Sequence, residues 1–251
     1  MRAILTYHSI DPSGSMISTS EETFRRHVKW LANGPVSVVS VQELLTLGDD
    51  VDAVALTFDD GFANFGETAA PLLADVGLSA MVFVVTDCVG GTNSWEIRIG
   101  SSVPLLPLMD WHQLSYLHER GFTIAAHTRT HANLERLGGT DLKGEVSGSA
   151  ERIKDELGFW PKGFAYPFGT TSPPAVREVS QAFAFGCTTE FRPLSGPEPA
   201  HLLPRLDMYY FREPARLESF GTPAFARYVA VRGKGRRLRS SIARVLRKTD
   251  D

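Results

Sequence analysis

Short apolar runs rich in β-branched residues alternate with segments of helical pattern, and this alternation limits the fold more than any other feature. Seven runs are predicted to be buried strands: 2–7, 36–39, 53–58, 80–85, 122–126, 163–166 and 183–188. Strands that are apolar throughout and separated by helices form a parallel sheet covered on both faces. We therefore predict an α/β fold, a distorted (β/α) barrel of about seven parallel strands.

Residues typical of helix N-termini, and two long loops, refine this outline. Thr19 and Glu22 have the spacing of a capping box, which predicts a helix that begins after Thr19. Asp110 is expected to cap a second helix. Two long loops, 86–109 and 189–204, follow predicted strands. Loops in that position shape the active site of barrel folds.

Charge is distributed unevenly along the 251 residues. Residues 227–251 hold nine Lys or Arg and two acidic residues, a net charge of +7 against −10 for the rest. Leu238, Ile242, Val245 and Leu246 recur there at helical spacing. We predict one domain over 1–225 and a basic helix over 226–251, either solvated or lightly packed, or docked on an anionic membrane surface or a partner. Because the basic charge is confined to one terminus, no nucleic-acid partner is expected.

The first ten residues do not have the pattern of a secretory signal, because their apolar run breaks at Thr6. No segment approaches the roughly 20 apolar residues that span a bilayer. We expect a cytoplasmic protein whose basic helix can also contact a membrane surface.

Polar residues follow several of the predicted strands. His8 follows the first, Asp59 and Asp60 follow the third, and His127 with His131 follow the fifth. The carboxyl ends of parallel strands meet at one face of a barrel, so these side chains can share one crevice. Each of them alone would be weak evidence, and their joint placement is what predicts a functional site.

Two imidazoles and one carboxylate form an open divalent-metal site of the zinc type. The i, i+4 spacing of His127 and His131 places both on one face if that segment is helical. One of the two aspartates would complete the ligand set, and the other would remain free as a base. The charge of the metal would offset the repulsion between the carboxylates, and Gly61 permits the turn that lets both face the site.

Three motifs carry a family resemblance: TFDDG at 57–61, HTRTH at 127–131 and AYPFG at 165–169. In this order and spacing they resemble the NodB-type polysaccharide deacetylases of carbohydrate esterase family 4, over roughly residues 1–210. The resemblance implies that 1–225 is a NodB-like deacetylase domain with a distorted (β/α) barrel and a divalent metal, usually zinc.

The resemblance also implies roles for single residues. Asp59 corresponds to the catalytic base, and Asp60, His127 and His131 correspond to the metal ligands. The backbone N–H of Phe168 corresponds to an oxyanion donor.

Two departures from the family pattern alter the expected site. Ala165 occupies the place of an arginine that normally orients the base, and Arg205 is the candidate to replace it. The usual C-terminal motif with the acid histidine is absent. The N-terminal LTYHSI instead resembles the circularly permuted branch that includes the poly-N-acetylglucosamine deacetylases, in which the first strand carries that histidine. His8 is therefore the candidate acid.

Aromatic rings match the apolar face of a sugar, so Trp95, Tyr166 and Phe168 are predicted to contact substrate. The function that these features predict is a hydrolase that removes an N-acyl group, chiefly acetyl, from an amino sugar or glycan precursor with a metal-activated water. Two alternatives remain open: a C–N hydrolase of a non-sugar amide, and a carbohydrate-binding protein of the same fold with weak or no catalysis.

Overall fold

The structure is a computed structural model that describes residues 1–96 and 102–248, with the backbone alone for Glu96, Pro214 and 237–248. Its strands are β1 (Arg2–Tyr7), β2 (Ser9–Ile10), β3 (Ser18–Thr19), β4 (Ser37–Val38), β5 (Ala53–Phe58), β6 (Met81–Val84), β7 (Thr123–Ala126), β8 (Gly163–Ala165), β9 (Phe185–Cys187) and β10 (Leu206–Asp207).

The α-helices in the described ranges are α1 (Glu21–Asn33), α2 (Val41–Leu44), α3 (Ala70–Ala74), α4 (Trp111–Glu119), α5 (Gly139–Leu157), α6 (Pro173–Ala182), α7 (Pro214–Glu218) and α8 (Pro223–Lys248). A π-helical turn, Phe65–Ala69, leads into α3. Short 3-10 turns lie at Thr86–Cys88, Ser94–Glu96, Leu134–Arg136, Pro167–Gly169 and Met208–Phe211.

The main sheet is parallel throughout, in the order β10–β1–β5–β6–β7–β8–β9, and β4 pairs with the start of β5. The segment 203–207 links the two ends of this path. Leu203 bridges to Cys187 of β9, and Leu206 pairs with Leu5 of β1. Each of the seven predicted strands is present, and the predicted distorted (β/α) barrel is confirmed.

Side chains of the strands alternate between the barrel interior and the layer under the helices. On β1, Leu5 and Tyr7 pack in the outer core, whereas Ile4 packs inside. Toward the carboxyl ends of the strands polar groups occupy the interior positions: Thr6 and Thr57 are buried, and their hydroxyl oxygens lie 3.0 Å apart. The carboxyl end of the barrel therefore holds the polar site, above an apolar floor.

Helix α1 begins one residue later than the capping-box pattern predicts. Ser20 is the N-cap, and its hydroxyl accepts the N–H of Thr23. Thr19 is unavailable as the N-cap because its backbone pairs with Ile10 between β2 and β3. Asp110 caps α4 as predicted, with Gln113 completing the box.

Helix α8 crosses the predicted boundary at 225/226. It begins at Pro223, and Phe225 and Val229 are buried in the outer core, so its first turns pack on the barrel. The predicted apolar face of the tail lies outside the described side chains: Leu238, Ile242, Val245 and Leu246. Within the described residues, no helix is long and apolar enough to cross a bilayer.

His27 links α1 to the barrel, and its burial leads us to expect that stability depends on pH. Its Nε2 lies 3.0 Å from the carbonyl oxygen of Phe211, and its Nδ1 lies 3.0 Å from the hydroxyl of Tyr7. Burial lowers the pKa of His27 to about 4. Because the unfolded state binds the proton more readily, stability is full above the unfolded pKa near 6.5 and falls as the pH falls toward 4.

A shift of this size corresponds to about 3 kcal/mol. We expect acidification from pH 7.5 to 4.5 to lower the free energy of unfolding in the wild type by more than in His27→Gln, measured by urea denaturation of the metal-free proteins. Equal losses in the two proteins would show that His27 does not set this dependence.

Candidate metal and catalytic site

The two adjacent aspartates face the same site because the backbone turns sharply after β5. Asp59 continues the strand alternation, and its N–H donates to the carbonyl of Tyr7 at 3.0 Å. Asp60 and Gly61 then adopt positive φ angles of 72° and 78°. This conformation is costly for a residue with a Cβ, so the surrounding structure must impose it on Asp60. At Gly61 a Cβ would lie 3.1 Å from the side chain of Val84.

Asp60, His127 and His131 place one ligand atom each within 4.8 Å of the others, and all three are buried. The Nε2 atoms of His127 and His131 lie 3.5 and 3.4 Å from Oδ1 of Asp60. Ligands at about 2.0–2.1 Å from a tetrahedral centre lie about 3.3–3.4 Å apart. The spacing therefore fits a small divalent metal such as zinc, which these three residues would hold.

The histidine environments favour the neutral imidazoles that metals bind. Nδ1 of His127 donates to the carbonyl of Ala165 at 2.7 Å, so Nε2 presents its lone pair to the site. Burial lowers the pKa of His127 to about 4, and burial together with the neighbouring His127 lowers the pKa of His131. Near neutral pH both rings are therefore ready to bind a cation without first losing a proton.

The helical interpretation of HTRTH is wrong. The segment is a loop after β7, and Thr128 and His131 have φ angles of 66° and 62°. The two imidazoles still meet, with ring centroids 4.9 Å apart. A spacing of four residues also brings side chains together across a tight turn, so the sequence spacing alone cannot distinguish the two conformations.

Glu145 of α5 binds the HTRTH loop at 127–131. This role was not predicted from the sequence. The Oε2 atom of Glu145 accepts the N–H groups of Arg129 and Thr130 at 2.9 and 3.0 Å, and its Oε1 accepts the hydroxyl of Thr130 at 2.8 Å. These bonds hold the backbone between the two histidines, from which both imidazole side chains project. Glu145 sits in the middle of a helix without a local motif, so only the fold reveals its role.

We expect Glu145→Gln to weaken metal binding by about tenfold or more, because an amide nitrogen cannot accept the bonds that one carboxylate oxygen accepts. The measurement is the metal dissociation constant in competition with a chelator. Glu151→Gln, an exposed position on the same helix, is the matched control. Equal affinities in both variants would contradict the positioning role of Glu145.

Asp59 forms a two-pronged ion pair with Arg205. The Nη1 and Nη2 atoms of Arg205 each lie 2.7 Å from a different oxygen of Asp59, and both residues are buried. Nε of Arg205 donates to the carbonyl of Thr188. Burial raises the pKa of Asp59, but the charge and hydrogen bonds of Arg205, together with the nearby His127 and His8, outweigh burial and hold the pKa well below its usual range. Asp59 is therefore ionised at any working pH.

Arg205 is the candidate replacement for the motif arginine, whose place is taken by Ala165 in this chain. Ala165 packs inside the barrel, and Arg205 enters the same interior from the stretch just before β10, its guanidinium carbon 5.5 Å from the centre of the Phe83 ring. Arg205 thus donates two hydrogen bonds to Asp59, which the methyl side chain of Ala165 cannot do. Its part in the reaction stays a prediction.

His8 lies at the mouth of the site. Its Nε2 is 3.9 Å from Oδ2 of Asp59, and its side chain is 24% exposed. A small cavity beside it is lined by residues from three strand ends: Thr6, His8, Thr188, Thr189, Arg205 and Asp207. The ring is thus close to the candidate base and open to a substrate, as a proton donor must be.

Two of the three predicted substrate-contacting aromatics lie at the site. Trp95 stacks on His131 with ring centroids 4.9 Å apart, and Phe168 contacts the edge of the same ring at 4.7 Å. The Phe168 ring is 48% exposed, which leaves a face for a ligand. Tyr166 is fully buried, and its hydroxyl donates to the carbonyl of His201. The prediction that Tyr166 binds substrate is therefore wrong, because β8 turns its side chain into the outer core.

A family model and a curated relative match much of this chain. The family model for polysaccharide deacetylases matches residues 48–184, more than half of the chain. A protein of Bacillus subtilis (strain 168), the candidate polysaccharide deacetylase YxkH, is 25% identical over 193 residues, covering 74% of this chain. The match covers 64% of YxkH, so the chain spans less than two thirds of the length of that relative.

Solved structures share the fold. The Streptococcus pyogenes deacetylase PplD, in complex with acetate, superposes with a TM-score of 0.70 at 20% identity, over 82% of this chain and 91% of its own. IcaB from Ammonifex degensii superposes with a TM-score of 0.69 at 22% identity, over 92% and 95% of the two chains. The motifs, the barrel and the matched family model together show that this chain belongs to the polysaccharide deacetylase family.

Proposed function

We propose that this protein is a metal-dependent hydrolase that removes an N-acyl group, chiefly acetyl, from an amino sugar of a glycan or glycan precursor. Membership of the polysaccharide deacetylase family supports the hydrolytic class. The observation that carries the proposal is the convergence, at one end of the barrel, of an Asp-His-His ligand set with an arginine-paired aspartate. A binding module would have no need for an ionised base beside a metal site.

A divalent metal held by Asp60, His127 and His131 would supply a Lewis acid and lower the pKa of water at the site, toward roughly 7 in well-studied zinc sites. We propose zinc, because two imidazoles and one carboxylate with open positions form the donor set of catalytic zinc sites.

Asp59 is the proposed base. It takes a proton from the water whose oxygen bonds to the acyl carbon, and Arg205 keeps the carboxylate ionised and aimed. The N–H of Phe168, a residue held at a φ of 60°, is the proposed donor to the acyl oxygen as its charge develops. His8 gives a proton to the sugar nitrogen as the C–N bond breaks, so that acetate and a free amine leave.

The test is acetate release by the metal-reconstituted protein from three kinds of compound: N-acetylglucosamine, a chitooligosaccharide and a non-sugar acetamide. We expect acetate and an equal amount of free amine from an acetylated sugar. Turnover of the non-sugar amide alone would assign a different C–N hydrolase. Sugar binding without any acetate, at full metal occupancy, would instead support the carbohydrate-binding alternative. The cytoplasmic location stays a prediction.

A further inference from the structure

A surface cleft of about 260 Å³ lies beside the carboxyl end of the barrel. Its walls come from the 3-10 turn after β10, from α7 and from α8. We call it the arginine–tyrosine cleft and define it by six residues: Tyr209, Tyr210, Arg212, Arg216, Tyr228 and Arg232. Glu213 also lines it, so the charges of the lining groups sum to +2.

The arginines of the cleft differ in how they are held. Arg212 donates to the carbonyl oxygens of Gly14 and Ser18, and Arg216 pairs with Glu213 at 2.7 Å. Arg232 is exposed and forms no ion pair within the described part of the chain. Its guanidinium carbon instead lies 5.5 and 5.7 Å from the ring centres of Tyr210 and Tyr228.

This arrangement leaves donors available for an anion. A guanidinium stacked near aromatic rings is oriented by them, but the rings do not use its N–H groups. Arg232 therefore presents a positioned fork of N–H donors at the cleft, with the further positive charges of Arg212 and Arg216 beside it. Such a fork matches the oxygens of a phosphate in geometry and charge.

The cleft is connected to the candidate active site through Asp207. The N–H of Tyr209 donates to Oδ1 of Asp207, and Asp207 lines the small cavity that contains His8. Arg236, one helical turn after Arg232 on α8, pairs with the other oxygen of Asp207 at 3.2 Å. The cleft and the mouth of the site therefore both border the segment 207–209.

The charge of the whole chain favours the same partner. The described side chains of α8 include four basic residues and no acidic one, Arg227, Arg232, Lys234 and Arg236, on a chain with a net charge of −3. A localised positive region on an otherwise acidic protein attracts an anion to that region and repels it from the remaining surface.

We propose that the arginine–tyrosine cleft binds a phosphate ester carried by the substrate, so that the preferred substrate is a phosphorylated acyl amino sugar or a glycan precursor bearing a phosphate. This inference rests on the proposed function and names its substrate class. A neutral glycan would gain only hydrogen bonds to its hydroxyl groups there, whereas a phosphate would gain charge-assisted hydrogen bonds and charge pairing.

The first test compares kcat/KM for N-acetylglucosamine 1-phosphate and for a neutral chitooligosaccharide. We expect Arg232→Gln to raise the KM for the phosphorylated sugar about tenfold or more and to leave the neutral substrate within about twofold, because only the phosphate loses a charged donor. Arg227→Gln, an exposed arginine earlier on α8 and outside the cleft, is the matched control. Equal effects of Arg232→Gln on both substrates would overturn the proposal.

A binding measurement separates this proposal from the proposed function. Glucose 1-phosphate has no acyl group, so its calorimetric affinity for the metal-loaded protein does not depend on turnover. Binding that weakens about tenfold in Arg232→Gln and not in Arg227→Gln supports the cleft even if no acetylated sugar is hydrolysed. Turnover of the neutral glycan without any binding of glucose 1-phosphate overturns the cleft alone.

Vesicles distinguish the source of the phosphate. Sedimentation with phosphatidylglycerol vesicles, lost in Arg232→Gln, combined with no affinity for glucose 1-phosphate, would assign the cleft to a membrane headgroup. That outcome would overturn the assignment to the substrate.

Discussion

Replacing Asp59 by Asn is expected to lower kcat by about 10²–10⁴-fold, the range that general acid–base catalysis contributes. The carboxylate is ionised, buried and held by two hydrogen bonds from Arg205, which is how a proton acceptor is fixed in one direction. An amide accepts no proton from the attacking water. Metal binding is expected to stay, because Asp60, His127 and His131 are unchanged.

The same substitution also removes the charge partner of a buried arginine, which generally lowers stability by about 3–5 kcal/mol. The control must therefore separate unfolding from lost chemistry. Asp49→Asn is the control: Asp49 pairs with the buried Arg2 at the amino end of β1, whereas the candidate site lies at the carboxyl ends of the strands. We expect Asp49→Asn to lower the melting temperature while kcat of the folded protein stays near that of the wild type.

Steady-state kinetics are measured below both melting temperatures, with metal content determined on the same samples. Activity of Asp59→Asn within about tenfold of the wild type at full metal occupancy would contradict the assignment of Asp59 as the base.

Replacing His127 by Ala is expected to abolish both metal binding and acetate release. The ring supplies one of three ligand atoms, and its Nδ1 bond to Ala165 shows that it is oriented for that purpose. Loss of an outer hydrogen-bond partner of a ligand typically costs 10–100-fold in affinity, roughly, so loss of the ligand itself is expected to cost more.

Metal analysis and acetate release on the same preparations check this prediction. His112→Ala removes an exposed histidine on α4 and controls for adventitious binding of metal to surface imidazoles. One equivalent of metal retained in His127→Ala, with wild-type activity, would show that the three buried residues are not the catalytic metal site.

The strands and the motif positions were predictable because their causes are local. Continuous apolar runs such as 53–58 can only be buried on both faces, and polar residues directly after them must appear at the carboxyl end of the barrel. Their positions directly after buried strands therefore predicted that Asp59, Asp60, His127 and His131 share one crevice, without any knowledge of the distances between them.

The features that could not be predicted, such as β10 and helix α5, depend on contacts between distant parts of the chain. Strand β10 was not predicted, because its partner β1 lies near the other end of the chain and Leu203, just before it, bridges to β9. Helix α5 carries glycines at 139, 144 and 148, which weaken a helical prediction from propensity, and its buried stripe emerges only against the sheet. Glu145 acts from that helix, so its role could not be foreseen.

Tyr166 shows an error that strand periodicity could have prevented. Phe164 and Tyr166 share the outer face of β8 and its extension, whereas Ala165 points into the barrel. A residue two positions after an outward-packed phenylalanine faces the same way as long as the chain stays extended. The prediction that Tyr166 contacts a sugar considered the chemistry of its ring but not the direction in which the extended chain points it.

The most direct test of the account is a titration of metal-depleted protein with Zn²⁺ while acetate release from an N-acetylated amino sugar is followed. We predict no activity without metal and a linear rise in activity that ends at one equivalent of Zn²⁺ per chain, with no rise in His127→Ala. Acetate release that is independent of added metal, or none at saturation from any acetylated sugar, would contradict it.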